Sequence, residues 1–203
     1  MKLHDLVEQS YQTFLQQADG TRVLLLHPQS RYRSMLIARL INDPDYRVLY
    51  YALGPDDIKL SSFLTAITHD LANQHATFGR HINMLPQNVY DNPQVHLDIV
   101  VETFAKELAE ISDKRIYLVL DEYDRSDSAD DVQRFVERIA SVLPDNCRIV
   151  VNSRNLPRLP WVSMMAQRLA VMIEDETVIR KEFYGPDHDG TNRSYCITWC
   201  CNS

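Results

Sequence analysis

The sequence is poor in glycine, in clustered cysteine and in positive charge. Five of the 203 residues are glycine, and none lies between Gly20 and Gly54. Twenty-one Lys and Arg face 28 Asp and Glu, a formal net charge of -7, which argues against nucleic-acid binding by this segment because phosphate binding needs a positively charged surface. Three of the four cysteines lie in the last eight residues, so the chain has no disulfide framework.

Long apolar runs are also missing. Every run is far shorter than the ~18 residues that cross a bilayer. His4, Asp5 and Glu8 stand near the amino terminus, where a signal peptide needs an apolar stretch. We therefore expect a cytoplasmic protein without membrane contact. The composition, 45% hydrophobic and 24% charged, is that of a globular chain with its own core.

The hydrophobic pattern alternates between strand-like and helix-like segments. Short apolar runs bounded by turn residues predict buried strands at 21–27, 46–53, 116–120, 147–152 and 169–173. Apolar residues at three- and four-residue steps predict helices at 3–17, from 34 to 41, from 60, at 95–111, from a Ser128 cap to Pro144, and at 161–167. Residues 79–93 show no periodicity, and we expect them to be irregular. This alternation predicts an α/β fold, a mostly parallel five-stranded sheet with helices on both faces.

The domain is expected to cover residues 1–184. A polar stretch opens at Gly185, and the last residues show neither periodicity nor helix caps. We therefore expect residues 185–203 to be a linker and an unstructured or non-native tail.

The loop after the first predicted strand is a candidate phosphate site. In parallel α/β sheets, ligands bind beyond the carboxyl ends of the strands, and this loop stands where a P-loop protein carries its glycines, lysine and Ser/Thr. Arg33 can bind phosphate and Ser34 can bind Mg²⁺. A loop without any ligand is the alternative, because a phosphate cradle needs glycines to let backbone N–H groups approach. The candidate residues are Pro28, Gln29, Ser30, Arg31, Tyr32, Arg33 and Ser34.

Two later strands also end in polar residues. Asp121 and Glu122 follow the third strand, where Asp121 can hold a magnesium-bound water and Glu122 can act as a general base. The alternative is a pair of solvated acids. Arg154 follows the fourth strand and can sense a terminal phosphate, or it can form an ordinary surface ion pair.

Three segments together resemble a known family. They are the loop 28–34, the run Tyr117-Leu-Val-Leu-Asp-Glu-Tyr123, and Ser153-Arg-Asn-Leu-Pro-Arg-Leu159. Over about residues 3–173 the chain resembles the STAND class of signal-transduction ATPases, in particular the large LuxR-type bacterial regulators similar to the maltose-regulon activator.

The resemblance implies a site and a context. It implies an ATP/ADP-switched domain inside a transcriptional regulator, with 28–34 as Walker A, Asp121 and Glu122 as Walker B, and Arg154 as the sensor arginine. It further implies Mg²⁺ as a cofactor, and the other domains of the regulator and self-association as contacts. Ser30 and Tyr32 stand in place of the family's glycines, and Arg33 stands in place of its lysine.

Three functional hypotheses follow. The first is a regulatory nucleotide switch in which hydrolysis is weak or absent. The second is a pseudo-NTPase that serves as a protein-interaction scaffold. The third is an unrelated α/β enzyme whose substrate fills the same crevice. The nucleotide hypotheses require Arg33, Ser34, Asp121 and Arg154 to converge.

Overall fold

The computed structural model describes residues 3–174, so the predicted tail at 185–203 and the end of the predicted domain lie outside the described residues. The strands are β1 (Val23–Leu26), β2 (Arg47–Ala52), β3 (Ile116–Asp121), β4 (Cys147–Asn152) and β5 (Ala170–Ile173). The α-helices are α1 (Leu3–Ala18), α2 (Arg33–Ile41), α3 (Leu60–Gln74), α4 (Gln87–Asp91), α5 (Leu97–Ala109), α6 (Asp130–Val142) and α7 (Trp161–Ala166). Short 3₁₀ helices occupy Ile82–Met84 and Tyr123–Ser126.

The five strands form one parallel sheet in the order β2-β3-β4-β1-β5. Alternate residues of β1 enter opposite cores: Val23 and Leu25 belong to the larger, Leu24 and Leu26 to the smaller. Helices α1 and α2 cover the smaller core, and α3, α5 and α6 cover the larger. Because both faces are covered, the strands are apolar along their length. The predicted α/β fold is confirmed.

Two local predictions are wrong. Ser128 does not cap α6, which begins at Asp130. Residues 79–93 are not wholly irregular, since they contain α4 and a 3₁₀ helix. The buried carboxylate of Glu107 on α5 organises this segment by accepting the N–H groups of His81 and Ile82. Such a distant contact leaves no local periodicity.

The strand order determines which loops are neighbours. Since β4 lies between β1 and β3, the segments that follow these three strands meet at the carboxyl edge of the sheet. All three candidate segments are therefore adjacent. None of the helices between residues 3 and 174 has the length and hydrophobicity of a membrane-spanning segment.

Candidate functional site

The β1–α2 loop directs two of its backbone N–H groups inward. The N–H of Ser30 donates to the carbonyl oxygen of His27 at 2.9 Å, and the N–H of Gln29 donates to His27 Nδ1 at 3.2 Å. A phosphate cradle would need such groups to point at the ligand. Among the loop residues, Gln29, Arg31 and Ser34 are exposed, and Pro28, Ser30, Tyr32 and Arg33 are half-buried.

Arg33, the first residue of α2, connects two strand ends. Its Nε donates to the carbonyl oxygen of Ser30 at 3.2 Å, and its Nη1 donates to the carbonyl oxygen of Ser153. Partial burial lowers the pKa of Arg33 below its ordinary value, against the opposing attraction of Asp121 and Asp124. The guanidinium therefore bridges the loop after β1 and the end of β4.

The cavity beside this loop is small. It has a volume of about 10 Å³ and is lined by residues that include Ser30, Tyr32 and Arg33. That is room for about one water molecule, whereas small-molecule pockets usually measure about 300–1,000 Å³. A nucleotide at this cavity would require the loop to rearrange.

Asp121 accepts three hydrogen bonds at the end of β3. Its Oδ2 accepts the hydroxyl of Tyr50 at 2.6 Å. Its Oδ1 accepts Nδ2 of Asn152 at 2.7 Å and the N–H of Glu122 at 2.7 Å. Burial and the bond to Asp121 raise the pKa of Tyr50 above its ordinary range. A carboxylate has about four acceptor positions, so these donors leave little of Asp121 for a metal ion.

Glu122 adopts a strained backbone conformation. Its φ and ψ are 50° and 37°, the left-handed region that non-glycine residues seldom occupy. This geometry turns its N–H toward Asp121, while its carboxylate pairs with Arg125. A general base needs a free carboxylate near the attacking water. Glu122 could therefore act as one only after its ion pair with Arg125 is broken.

Arg154 is bound to Asp124. Its Nε and Nη2 donate to Asp124 Oδ2 at 2.9 and 2.7 Å, and its backbone N–H donates to Oδ1 at 3.1 Å. The Arg154 side chain is 71% exposed and that of Asp124 only 6%. Burial alone would raise the pKa of Asp124, but the hydrogen bonds from Arg154 outweigh it and lower that pKa. Arg154 thus forms a surface ion pair, and its sensor role stays a prediction.

Two buried polar atoms at this edge have no partner within residues 3–174. They are Oδ1 of Asn152 and Oγ of Ser153, on residues that are 9% and 1% exposed. Buried polar groups are normally hydrogen-bonded. An ordered water or a ligand group is the kind of partner they accept.

The structure brings most of the predicted residues to one edge of the sheet. Arg33 lies within electrostatic range of Asp121 and Asp124, and Arg154 joins the same group through Asp124. Ser34 is exposed on the first turn of α2. The roles of Ser34 and Asp121 toward Mg²⁺ and of Glu122 as a general base stay predictions.

Sequence reasoning gave no role to the residues that hold the site together. Tyr50 and Asn152 orient the Asp121 carboxylate, and the Ser153 carbonyl anchors Arg33. Asn152 and Ser153 stand beside Arg154 at the end of the fourth predicted strand, but only Arg154 was given a role there. Tyr50 could be found only from the strand order.

Comparisons with known proteins place the fold in a family. The family model described as "Nephrocystin 3, N-terminal" matches residues 6–154. No curated protein matches the chain. Among solved structures, a chain in the structure of Drosophila ORC bound to AT-rich DNA and Cdc6 is 14% identical, with a TM-score of 0.46. That match covers 83% of this chain and 55% of the other, so this chain spans about half the length of the solved one.

The sheet supports the P-loop NTPase-like part of the resemblance noted in the sequence. The assignment to bacterial LuxR-type transcriptional regulators is not confirmed. Because the family model covers well over half of the residues, the chain belongs to the nephrocystin 3 N-terminal family.

Proposed function

We propose that this chain is a pseudo-NTPase, an NTPase-like domain that has lost nucleotide hydrolysis and acts as an interaction scaffold in a larger signal-transducing protein. The observation that carries the proposal is the position of Arg33. Its guanidinium is bound to the carbonyl oxygens of Ser30 and Ser153 instead of facing an open phosphate site.

The other catalytic requirements point the same way. Phosphoryl transfer depends on positioning a metal ion, a nucleophilic water and a compensating positive charge. Here Asp121 already accepts three hydrogen bonds, Glu122 is paired with Arg125, and Arg154 is paired with Asp124. Each group would have to exchange an internal partner for a ligand, which raises the free-energy cost of an active arrangement.

A second candidate is a nucleotide switch that binds ATP or ADP with Mg²⁺ and hydrolyses it weakly or not at all. The unpartnered Oδ1 of Asn152 and Oγ of Ser153 favour it, because they would accept a ligand. So does the amino terminus of α2, whose first N–H groups have no acceptor inside the helix. In this candidate the loop 28–34 and Arg154 hold the nucleotide, and Ser34 and Asp121 face Mg²⁺.

The wider context belongs to the proposal as well. Part of the sequence is similar to transcriptional regulators, which favours a cytoplasmic regulator whose other domains contact this one. The net charge of -7 favours protein contacts over nucleic acid for this domain.

Calorimetric titration of the full chain with ATP and ADP, with and without Mg²⁺, separates the two candidates. We expect no heat and no thermal shift at millimolar nucleotide, and phosphate release equal to that of Asp121→Asn. Saturable, magnesium-dependent binding that Asp121→Asn abolishes, with an unchanged circular dichroism spectrum, would establish the switch instead. Phosphate release above that of Asp121→Asn would overturn the loss of hydrolysis.

A further inference from the structure

Strand β2 forms one edge of the sheet. On the side away from β3, every second residue of β2 presents its backbone N–H and C=O groups. The N–H groups of Arg47 and Leu53 donate to Arg115 and Asp121, on the β3 side. Because successive residues of a strand alternate in direction, Val48, Tyr50 and Ala52 direct their N–H and C=O groups away from β3. Within the described residues no strand lies on that side. Such an edge is a ready template for pairing with another strand.

Gln74 occupies the centre of this free edge. It is the last residue of α3 and is exposed. Its Oε1 accepts the N–H of Tyr50 at 2.9 Å, and its Nε2 donates to the carbonyl oxygen of Tyr50 at 2.6 Å. The carboxamide therefore pairs with both groups that an added strand would use. An exposed carboxamide can exchange these bonds for water.

We infer that Gln74 reversibly blocks strand pairing at the β2 edge, and that the partner it excludes is a second copy of this chain. Two copies related by a two-fold axis at Tyr50 would pair antiparallel. Tyr50 then lies opposite Tyr50 of the second copy, and Val48 lies opposite Ala52. In that register each outward-facing residue exchanges two hydrogen bonds with the residue opposite it.

The side chains of β2 suit pairing with themselves. Arg47 is the charged residue of the strand, and in this register it falls opposite Leu53, so the two arginines stay apart. Like charges directly opposite each other would oppose pairing, whereas aromatic pairs favour it. Tyr46, Val48 and Tyr50 are half-buried against the smaller core. A second copy would cover this strip on both chains, as an isologous contact requires.

The experiment compares the oligomeric state of the full chain and of Gln74→Ala by light scattering, in reducing buffer. We expect the wild type to be a monomer. Gln74→Ala is expected to approach twice the monomer mass as its concentration rises, with a dimer dissociation constant at least tenfold lower than that of the wild type. Asn73→Ala is the matched control, because Asn73 is exposed one residue earlier on α3 and its side chain is hydrogen-bonded to His69 on the same helix.

Hydrogen exchange identifies the surface used. In the wild type the amide of Tyr50, bonded to Gln74, should exchange more slowly than those of Val48 and Ala52. In dimeric Gln74→Ala all three should be slow, and Ala52→Pro in the same chain should restore the monomer, because proline removes an outward-facing donor. If Gln74→Ala does not fold, Gln74→Ser serves instead, since serine is too short to reach either backbone group of Tyr50 and keeps a polar side chain at this exposed position.

Three outcomes would overturn the inference. One is a Gln74→Ala monomer, with a fast Tyr50 amide, at concentrations where the dimer is expected. Another is a dimer that survives Ala52→Pro, which would place the contact elsewhere. The third is a wild-type dimer that already protects Val48 and Ala52. None of these outcomes depends on nucleotide binding.

Discussion

Replacing Arg33 with methionine tests whether the guanidinium stabilises the fold. Methionine keeps an unbranched stem and removes the two hydrogen bonds to the carbonyl oxygens of Ser30 and Ser153. Hydrogen bonds from charged groups contribute about 1.5–3 kcal/mol each. Ser153 is 1% exposed, so its carbonyl oxygen would lose its hydrogen bond without gaining one from water. The carbonyl oxygen of the half-buried Ser30 can bind water instead. We therefore expect a loss of about 2–3 kcal/mol in the free energy of unfolding.

Urea unfolding without nucleotide, followed by circular dichroism, measures this loss. With an m-value of about 2 kcal/mol/M, the midpoint should fall by about 1–1.5 M. Ser34→Ala is the control: it changes an exposed neighbour and should stay within about 0.5 kcal/mol of the wild type. An Arg33→Met protein as stable as Ser34→Ala would refute the stabilising role of Arg33. An arginine that serves only to bind phosphate would contribute nothing to the free energy of unfolding without its ligand.

Three further predictions concern the groups around Asp121. Tyr50→Phe removes a hydrogen bond to a carboxylate and should lower the free energy of urea unfolding by about 1.5–2 kcal/mol; an unchanged midpoint would contradict the geometry. Glu122→Gly should raise it by up to about 1 kcal/mol, because glycine tolerates the left-handed conformation, and a lower midpoint would contradict the strain. The pKa of Asp124 is lowered when folded, so its ion pair with Arg154 stabilises the fold above the ordinary aspartate range and is lost as pH falls through that lowered pKa. Arg154→Ala should therefore be less stable than the wild type at pH 7 and should approach it at pH 2; an equal difference at both pH values would contradict this.

The fold could be predicted because burial on both faces leaves a clear pattern. The run at β4, Cys147–Asn152, is buried at every position, and its ends were predicted correctly. The start of α6 was missed because Ser128, a good capping residue type, lies two residues before the helix. The helix at Gln87–Asp91 was missed because a tertiary contact from Glu107 organises the preceding turn. The strand order depends on long-range packing that no local window contains.

The site could be located from the sequence, but its connections could not. The carboxyl ends of parallel strands meet at one edge of the sheet, and this rule alone makes Asp121 and Arg33 candidate site residues. The contact from Arg33 to Ser153 joins residues 120 positions apart, and that from Tyr50 to Asp121 joins residues 71 apart. A missing glycine predicts that a loop cannot cradle phosphate. It does not say what the replacing side chain binds instead.

Under the proposed scaffold function, the Arg33 bridge opposes the formation of a phosphate cradle by single substitutions. Arg33→Lys would remove the planar fork that reaches two carbonyl groups, which lowers stability before any nucleotide gains a place to bind. Glycine at positions 30 and 32 would add conformational freedom to the unfolded chain, at about 0.5–1 kcal/mol each. Each single substitution toward the P-loop pattern is therefore expected to lower the stability of the domain. Under that proposal, stability disfavours substitution of Arg33, and we expect exposed positions of the domain to tolerate substitution more readily than this one.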